Sequence, residues 1–493
     1  MTKIFYAIFL GFATISFYWY FKIFISYRWI KKSRKISLKH SDRYHKNLYA
    51  LIPVLDEVER IEQTVKYFTN TFKHIKKFRI ILISTEKEFE LFDKRTQFLL
   101  KNLESINQIQ LVRDFINLKC KTDIKNIGDN LFDAKEKAKR IINKRENTIK
   151  IIKKISRNNP LVKTYHYPKL NGNMSNQLNY AIDLIIKNNK RDNDIFCVYN
   201  ADSKPHPKTF NWVLQMSKKS NIKVFQQYGN YLGNIQNFKG VISGKILTSA
   251  ALWQTRWSIG FEIYHALKQL KFKNRKQSFN YPLNYCIGHG LFFTRDIYQN
   301  LNGFDTTTHN EDAIFGLKLS YAEELIMPIP YFDESDTPDS VESIYKQKAN
   351  WFFGPLQSFN YYKKIVGEQV LEKKRDKMRL FILSSKLFSH AVYWVFGPTF
   401  MTLSLIIAIY KNSPYFWAVF ICESILFLSI PNLLSWLIVD RKKIKLRNSL
   451  LGILLGAIPC YLLHGLSSYR TLLKILISKI FNKKVLKEKT EMS

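Results

Sequence analysis

The chain has 493 residues, of which 46% are hydrophobic and 24% are charged, and its formal net charge is +38. Such a surplus favours an anionic partner, either nucleic acid, anionic lipid or a phosphate-bearing substrate, although a lysine-rich proteome would produce it too. The absence of zinc-finger spacing and RNA-binding aromatic motifs argues against nucleic acid. The five cysteines are scattered without a CxxC pair, which argues against a disulfide framework or a structural zinc site.

Three apolar segments are long enough to cross a bilayer: residues 4–25, with Lys22 as the only charge, then 387–410 and 415–439. Basic residues follow the first segment and also the third, where they occupy 440–447. Because positive flanks stay in the cytoplasm, we predict that the N-terminus points outward and that the polar middle of the chain lies inside. The three apolar segments and their basic flanks together predict an integral protein of a bacterial inner or plasma membrane.

Residues 450–466 form a fourth apolar stretch, but Pro459 interrupts it and a basic tail follows. A full crossing would place this tail outside, against the positive-inside bias. We therefore predict a re-entrant or interfacial element, with the tail on the inner leaflet and Ser493 in the cytoplasm.

The polar middle contains buried-strand patterns that run into polar side chains. These strands, with the residues that follow them, are 48–55 before Asp56-Glu57, 78–84 before Thr85-Glu86, and 194–199 before Asn200-Ala201-Asp202. Helical stretches between them predict an open α/β sheet, which binds ligands at the carboxyl ends of its strands. A Lys-rich helical insertion without chemistry of its own is predicted at about 90–160.

Carboxylates stand at two positions where they could carry chemistry. Asp202 follows a strand, where it could hold a hard cation on a diphosphate, although such residues are often only turn or cap residues. Glu311 and Asp312 begin an apolar helical stretch, where acids normally complement the helix dipole. A carboxylate fixed there is also positioned to act as a base, with a pKa lowered by the dipole.

Aromatic and amide side chains precede the second apolar segment. Trp351 offers a flat face for stacking a sugar ring, and Gln347 offers amide hydrogen bonds one helical turn earlier. The alternative is an aromatic belt at a membrane interface. His289, between two glycines, is either a site residue or a structural one.

The order of these elements resembles the membrane-bound family 2 glycosyltransferases, which include cellulose, hyaluronan and poly-N-acetylglucosamine synthases. The segments that carry the resemblance are, in chain order, Pro53–Glu57, Gly172–Asn173 with Gln177–Ala181, Asn200–Asp202, Gly288–Arg295 with Gly303–Phe304, Asn310–Asp312, Gln347–Trp351 and Lys489–Glu491. Each motif is weak alone, but their shared order between the apolar segments is specific.

The resemblance implies a GT-A-type (Rossmann-like) α/β glycosyltransferase domain with an α-helical transmembrane region. It implies roles for the following residues: nucleotide-sugar binding by Pro53, Asp56, Glu57, Glu86 and Asn200, binding of Mg²⁺ or Mn²⁺ by Asp202, catalysis by Asp312 as base with Glu311, and acceptor contacts by His289, Gln347 and Trp351.

The predicted organisation follows the family. It comprises a transmembrane helix at 1–27, a cytoplasmic glycosyltransferase domain at 28–340, interfacial amphipathic helices at 341–385, two transmembrane helices at 386–440, and a re-entrant segment with a basic tail at 441–493.

Several positions depart from the family pattern. Asn200 replaces the first Asp of the DxD motif, and Asn350 replaces an Arg expected near the diphosphate. Helical spacing does not favour Lys348 as its replacement. The uridine-contacting Asp after the second strand is absent, with Glu86 as the nearest substitute. These departures put processive polymerisation in question but leave glycosyl transfer in place.

The predicted function is inverting, metal-dependent transfer of a hexose from a nucleoside-diphosphate sugar, a UDP-sugar by resemblance, in polysaccharide synthesis. The expected partners are the donor, a glycan or lipid-linked acceptor, membrane lipids and membrane partner subunits, but no nucleic acid. The alternatives are a non-processive transferase that adds one sugar to a lipid carrier, and a catalytically silent membrane scaffold. A transporter is disfavoured because the chain has too few spans.

Overall fold

The computed structural model describes residues 2–38, 46–58, 60–120, 122–170, 172–189, 194–272, 282–308, 310–368, 374–439 and 446–481. Its helices are α1 Thr2–Arg34, α2 Ile61–Phe72, α3 Lys87–Glu104, α4 Ile109–Cys120, α5 Leu131–Asn143, α6 Thr148–Asn158, α7 Met174–Asn188, α8 Thr209–Lys219, α9 Ser243–Trp257, α10 Tyr264–Leu270, α11 Arg295–Asn300, α12 Glu311–Tyr321, α13 Val341–Leu356, α14 Ser358–Glu368, α15 Lys374–Lys411, α16 Pro414–Ser424, α17 Ile430–Val439, α18 Leu446–Leu455 and α19 Ala457–Ile480. Its strands are β1 Asn47–Pro53, β2 Phe78–Thr85, β3 Val162–Tyr167, β4 Asp194–Val198, β5 Lys204–Pro205, β6 Val224–Gln226, β7 Gly229–Asn230, β8 Leu291–Thr294, β9 Ile326–Pro328 and β10 Asp333–Glu334. Two π-helical turns lie at Ser258–Ile263 and Ile425–Ser429.

The chain divides into two compact units. The smaller unit comprises Asn47–Arg191 and Tyr199–Asp202, and the larger unit comprises Met1–Lys46, Asp192–Val198 and Ser203–Ser493. The predicted metal-binding segment at 199–202 therefore belongs with strands that lie far from it in sequence.

The smaller unit is built on parallel strands in the order β3-β2-β1. β1 and β2 are apolar and mostly buried, as expected for strands covered on both faces. Helices α2, α6 and α7 pack against them. The backbone N–H of Tyr199 donates to the carbonyl oxygen of Leu51 at 2.9 Å, which ties segment 199–202 to β1. The strands predicted at 48–55 and 78–84 are confirmed.

Helices α3 to α6 occupy the stretch where the sequence predicts a helical insertion. Helices α3, α4 and α5 enclose an apolar core of their own, formed by Leu99, Leu103, Val112, Ile116, Ile127, Ala134, Ala138 and Ile142. Helix α6 instead packs against β2 and β3, and buries Ile149, Ile151 and Ile152.

The larger unit contains a mixed sheet in the order β4-β8-β6-β9. Strand β8 is antiparallel to β4 and β6, whereas β9 is parallel to β6. A smaller sheet has the order β5-β10-β7. Strand β4 confirms the prediction at 194–199, but the sequence analysis did not predict the short strands that follow it.

Three described helical stretches are long and apolar enough to cross a membrane: Thr2–Arg34, Asp376–Lys411 and Pro414–Val439. They coincide with the three predicted spans, and the described residues contain no further helix that meets both criteria. Two of these stretches carry a buried charge with a partner. The ammonium of Lys22 lies 4.1 Å from the ring centroid of Tyr18, and the carboxylate of Glu423 accepts from the Ser404 hydroxyl at 2.9 Å.

The predicted interruption of the last apolar stretch at Pro459 is wrong by three residues. The helix breaks at Gly456, between α18 and α19, and Pro459 lies in the first turn of α19. Proline fits that turn because its missing N–H would have no intrahelical acceptor there. The basic run at 440–445 and the tail at 482–493 lie outside the described residues.

At the break, the backbone of Gly456 lies close to the backbone of α9. A Cβ on Gly456 would lie 2.1 Å from the Lys245 carbonyl oxygen. We expect Gly456→Ala to destabilise the chain by about 1–3 kcal/mol through overpacking, measured as a lower thermal unfolding midpoint in detergent. Gly367→Ala is the matched control, since among the described residues no atom outside its own stretch of helix lies within 4 Å of its Cβ position. Equal midpoints for the two variants would contradict the prediction.

Candidate functional site

The predicted site residues fall into two groups, one in each compact unit. The smaller unit contains the predicted donor residues, which are Pro53, Asp56, Glu57, Glu86, Asn200 and Asp202. The larger unit contains the predicted catalytic and acceptor residues, which are His289, Glu311, Asp312, Gln347 and Trp351.

The loop after β1 is held in an unusual backbone conformation. Asp56 has a φ of 57°, in the left-handed region that Asp and Asn adopt more readily than other non-glycine residues. Its N–H donates to Glu88 Oε2 at 2.6 Å, and its Oδ1 accepts from the Arg95 guanidinium at 2.9 Å. The N–H of Glu57 donates to Thr148 Oγ1 at 3.0 Å. Glu88, Arg95 and Thr148 were not predicted as site residues.

Pro53 and Glu86 mark the carboxyl ends of β1 and β2. Pro53 pairs with Ile83 in the parallel register. The carboxylate of Glu86 lies 2.7 Å from Nε2 of His166, whose Nδ1 lies 3.0 Å from the Ser84 hydroxyl. The predicted uridine-side acid is therefore paired with a histidine that the sequence analysis missed.

The segment after β4 presents Asn200 as exposed and Asp202 as half-buried. The hydroxyl of Thr64 donates to the Ala201 carbonyl oxygen, which fixes the turn between them. A partly accessible carboxylate suits a hard cation that is shared with phosphate oxygens. Within the described ranges, no three His, Cys, Asp or Glu side chains group as a metal site of their own.

The loop before β8 requires glycine at Gly290. Gly290 has a φ of 66°, and a Cβ there would lie 2.5 Å from the Gln227 carbonyl oxygen. The Gln227 N–H donates to the Gly290 carbonyl at 2.7 Å, and Gln226 Nε2 donates to the His289 carbonyl at 2.8 Å. These bonds hold the loop against the end of β6.

The side chain of His289 is oriented by two partners. Its Nδ1 lies 3.3 Å from Oδ2 of Asp333, which is fully buried in β10, and its Nε2 lies 3.5 Å from the Tyr231 hydroxyl. A buried carboxylate beside Nδ1 favours the tautomer with a proton on that nitrogen. Asp333 and Tyr231 were not predicted from the sequence, because neither lies near His289 along the chain.

Glu311 and Asp312 occupy the first turn of α12, as predicted. The Ala313 N–H donates to Asp312 Oδ1 at 2.8 Å. A Cβ on Gly288 would lie 3.7 Å from Asp312 Oδ2 and 3.8 Å from Glu311 Oε1. Both carboxylates therefore face the glycine that begins the β8 loop, and the missing side chain leaves space beside them.

Helix α13 carries Gln347, Lys348 and Trp351. Gln347 is buried, and its Oε1 accepts from Gln254 Nε2 at 2.8 Å. The ammonium of buried Lys348 lies 4.6 Å from the ring centroid of half-buried Trp351. Residues three apart are neighbours on a helix, which accounts for this contact. That Lys348 does not replace the missing Arg near the diphosphate stays a prediction.

Helix α13 also passes the start of α12. A Cβ on Gly354 would lie 3.4 Å from Cγ of Asn310, the residue before α12. Asn350 is half-buried on the same helix. His309, which precedes Asn310 in the sequence, lies outside the described residues.

Glu262, in the first π-helical turn, is a further acid that the sequence did not single out. Burial raises its pKa to about 7, the Ser258 side chain, His289 and Lys348 counteract this, and Asp312 reinforces it. Burial also lowers the pKa of Lys348 to about 8. Within the part of the chain that the structure describes, Glu262 Oε2 has no hydrogen-bond partner. Such π-helical turns are frequent at functional positions.

A segment of the larger unit matches a model of a known protein family. Residues 235–438 match the family model described as Glycosyl transferase family group 2. This stretch contains His289, Glu311, Asp312, Gln347 and Trp351, together with the second and third apolar helices.

A curated relative, a probable glycosyltransferase from Sulfolobus acidocaldarius, is 25% identical over 284 residues. The alignment covers 55% of this chain and 53% of the relative. The chain thus spans about half the length of the curated relative it matches.

Two solved structures are similar at low identity. A mannosyltransferase from Pyrobaculum calidifontis, in complex with GDP-Man and Mn²⁺, is 11% identical, with a TM-score of 0.45 and coverage of 94% of this chain and 98% of that one. TarS 1-349 from S. aureus, in complex with UDP-GlcNAc, is 10% identical, with a TM-score of 0.34 and coverage of 89% and 93%.

The predicted GT-A-type α/β fold class is confirmed by the mixed sheet and its flanking helices together with the family match. The match includes the carboxylates at the start of α12 and extends into the third apolar helix. Residues 235–438 therefore resemble a glycosyltransferase family 2 domain.

Proposed function

We propose that the chain transfers a sugar from a UDP-sugar to a hydroxyl of a glycan or lipid-linked acceptor at a membrane, with inversion at the anomeric carbon. The observation that carries this proposal is the pair of carboxylates at the start of α12, which face Gly288 inside the family-matched segment. An enzyme of this kind needs a fixed carboxylate as base, and the helix start beside a glycine supports that role for this pair.

Asp312 is the base in this proposal. Its Oδ1 already accepts from the Ala313 N–H, whereas its Oδ2 faces Gly288. Oδ2 takes the proton of the acceptor hydroxyl, and the acceptor oxygen forms a bond to the anomeric carbon. The bond from that carbon to the diphosphate breaks, and UDP leaves. The Ala313 N–H and the first turn of α12 fix the position of this carboxylate, so Asp312 acts through its placement.

Asp202 would hold the divalent cation, either Mg²⁺ or Mn²⁺, in this proposal. The cation would supply positive charge that stabilises the leaving diphosphate. Pro53, Asp56, Glu57, Glu86 and Asn200 contact the nucleotide sugar.

The acceptor is bound by His289, Gln347 and Trp351. The Trp351 ring stacks on a sugar ring, and Lys348 beneath that ring fixes its orientation through the cation–π contact. His289 is aimed by Asp333, so its Nε2 side serves as a directed hydrogen-bonding group. Glu311, whose carboxylate also faces Gly288, acts together with Asp312 in catalysis.

Transfer of single sugars to a lipid carrier is the second candidate. Asn350 on α13 favours it, because the guanidinium that the family places there is missing. A catalytically silent scaffold is the candidate from another class, and metal-dependent UDP release by the purified chain would separate it from both enzymes. A screen of UDP-glucose, UDP-N-acetylglucosamine, UDP-galactose and GDP-mannose would identify the donor.

The three apolar helices anchor the catalytic domain in the membrane, with the domain on the cytoplasmic side. This proposal is supported by the three helices themselves and by the basic flanks after the first and third. Membrane lipids and membrane partner subunits are the expected neighbours.

Asp312→Asn should lower sugar transfer by about 10²–10⁴-fold while nucleotide binding stays close to wild type, because the amide cannot accept a proton. Turnover is measured as release of UDP. Asp339→Asn, at an exposed acid, is the control and should keep wild-type turnover. Wild-type turnover in Asp312→Asn would show that the base has been assigned to the wrong residue.

Asp202→Ala should weaken the binding of a UDP-sugar only when Mg²⁺ or Mn²⁺ is present, because the variant loses the carboxylate that shares the cation. Affinity is measured by calorimetry with metal and with EDTA. The expected pattern is a metal-dependent gain in affinity for the wild type and none for the variant. Equal affinities in all four measurements would rule out a metal at Asp202.

A reporter fused after Ser493 should be cytoplasmic. Three spans counted from an outward N-terminus return the chain to the inside, and a further crossing would carry a basic tail outward at about 1 kcal/mol per residue near the inner surface. Alkaline phosphatase and a fluorescent protein are the paired reporters. High phosphatase activity with no fluorescence would require a fourth crossing.

A further inference from the structure

The helical segment from α3 to α6 reaches the predicted nucleotide loop at three points. Glu88 accepts from the Asp56 N–H at 2.6 Å, and the Arg95 guanidinium donates to Asp56 Oδ1 at 2.9 Å. Thr148 accepts from the Glu57 N–H at 3.0 Å. These three polar contacts thus join α3 and α6 to the predicted nucleotide loop.

The contacts made by Glu88 and Thr148 fix the shape of the Asp56–Glu57 loop. Glu88 is only 1% exposed, and its second carboxylate oxygen accepts from the Thr148 N–H at 3.0 Å. The carboxylate therefore bridges the loop and the first turn of α6. This bridge holds Asp56 in its left-handed conformation, which is strained for residues other than glycine.

The contact by Arg95 is of a different kind. Its side chain is 37% exposed and that of Asp56 is 24% exposed, so a ligand can reach both. An ion pair with this much solvent contact contributes little to stability. The guanidinium instead places positive charge beside Asp56, an acid that would otherwise repel an anionic ligand.

We propose that Arg95 is a nucleotide-binding residue, which holds a phosphate oxygen of the nucleoside diphosphate while Glu88 and Thr148 keep the Asp56–Glu57 loop in shape. This inference rests on the proposed function, since it concerns the same donor site. Guanidinium groups suit the role because they form paired hydrogen bonds to phosphate oxygens. The helical segment is in this way part of the donor site.

The test compares two neighbouring residues of α3. Arg95 faces Asp56, whereas Lys94 is 67% exposed and pairs with Glu90 on the solvent side. Binding of UDP and of GDP to the full-length chain in nanodiscs is measured by calorimetry, with Mn²⁺ present. Arg95→Gln should weaken binding by about 3- to 10-fold, and Lys94→Gln should leave it unchanged.

Salt and a conservative variant separate a ligand contact from a structural one. The wild type should lose affinity with rising salt more steeply than Arg95→Gln, because one charge contact is missing in the variant. Arg95→Lys, which keeps the charge but not the paired geometry, should bind between the wild type and Arg95→Gln. If Arg95→Gln has a lower unfolding midpoint than the wild type, the nucleotide affinity of Arg95→Lys decides whether Arg95 contacts the ligand.

Equal or tighter nucleotide binding by Arg95→Gln than by Lys94→Gln would overturn the inference and leave the proposed function in place. The inference is also overturned if Arg95→Lys binds as weakly as Arg95→Gln at an unchanged unfolding midpoint. A wild-type chain that binds neither UDP nor GDP would overturn both the inference and the proposed donor site.

Discussion

Access to the acids of α12 depends on the backbone of one loop. Gly290 takes a left-handed conformation against the Gln227 carbonyl, and the resulting path brings Gly288 close to Asp312. A side chain at Gly290 would move the loop, and His289 would then lose its side-chain contact with Asp333. The base, the space beside it and the oriented histidine are therefore consequences of a single tight approach between the β8 loop and β6.

Several buried charges in the larger unit lie against groups that lower their cost. Lys22 is surrounded by aromatic rings, and Glu423 is hydrogen-bonded by Ser404. Lys348 lies over Trp351, on the helix that passes the start of α12. Charges inside an apolar environment are expensive unless they are paired, and residues that keep them are commonly functional. The buried charge of Lys348 on α13 therefore marks the same region of the larger unit as functional that the acids of α12 mark.

The sequence predicted what depends on local pattern. β1 and β2 are long apolar runs, and the three apolar helices are long, so periodicity and length identify them. Strands β6 and β9 have only three residues each, too few for a pattern, and their pairing depends on contacts distant in sequence. The same limit applies to the site. Motif order pointed to Asp312 and Gln347, whereas Glu88 and Asp333 act on residues far along the chain and leave no local signal.

The separate core of α3, α4 and α5 has a consequence for how this chain can diverge. Because these helices bury their apolar residues against one another, α4 and α5 can be lengthened, shortened or replaced without repacking the parallel strands. The first turns of α3 do not share this freedom, since Glu88 and Arg95 contact the loop after β1. Length variation among natural variants of this segment should therefore collect beyond Arg95, in the connections on either side of α4.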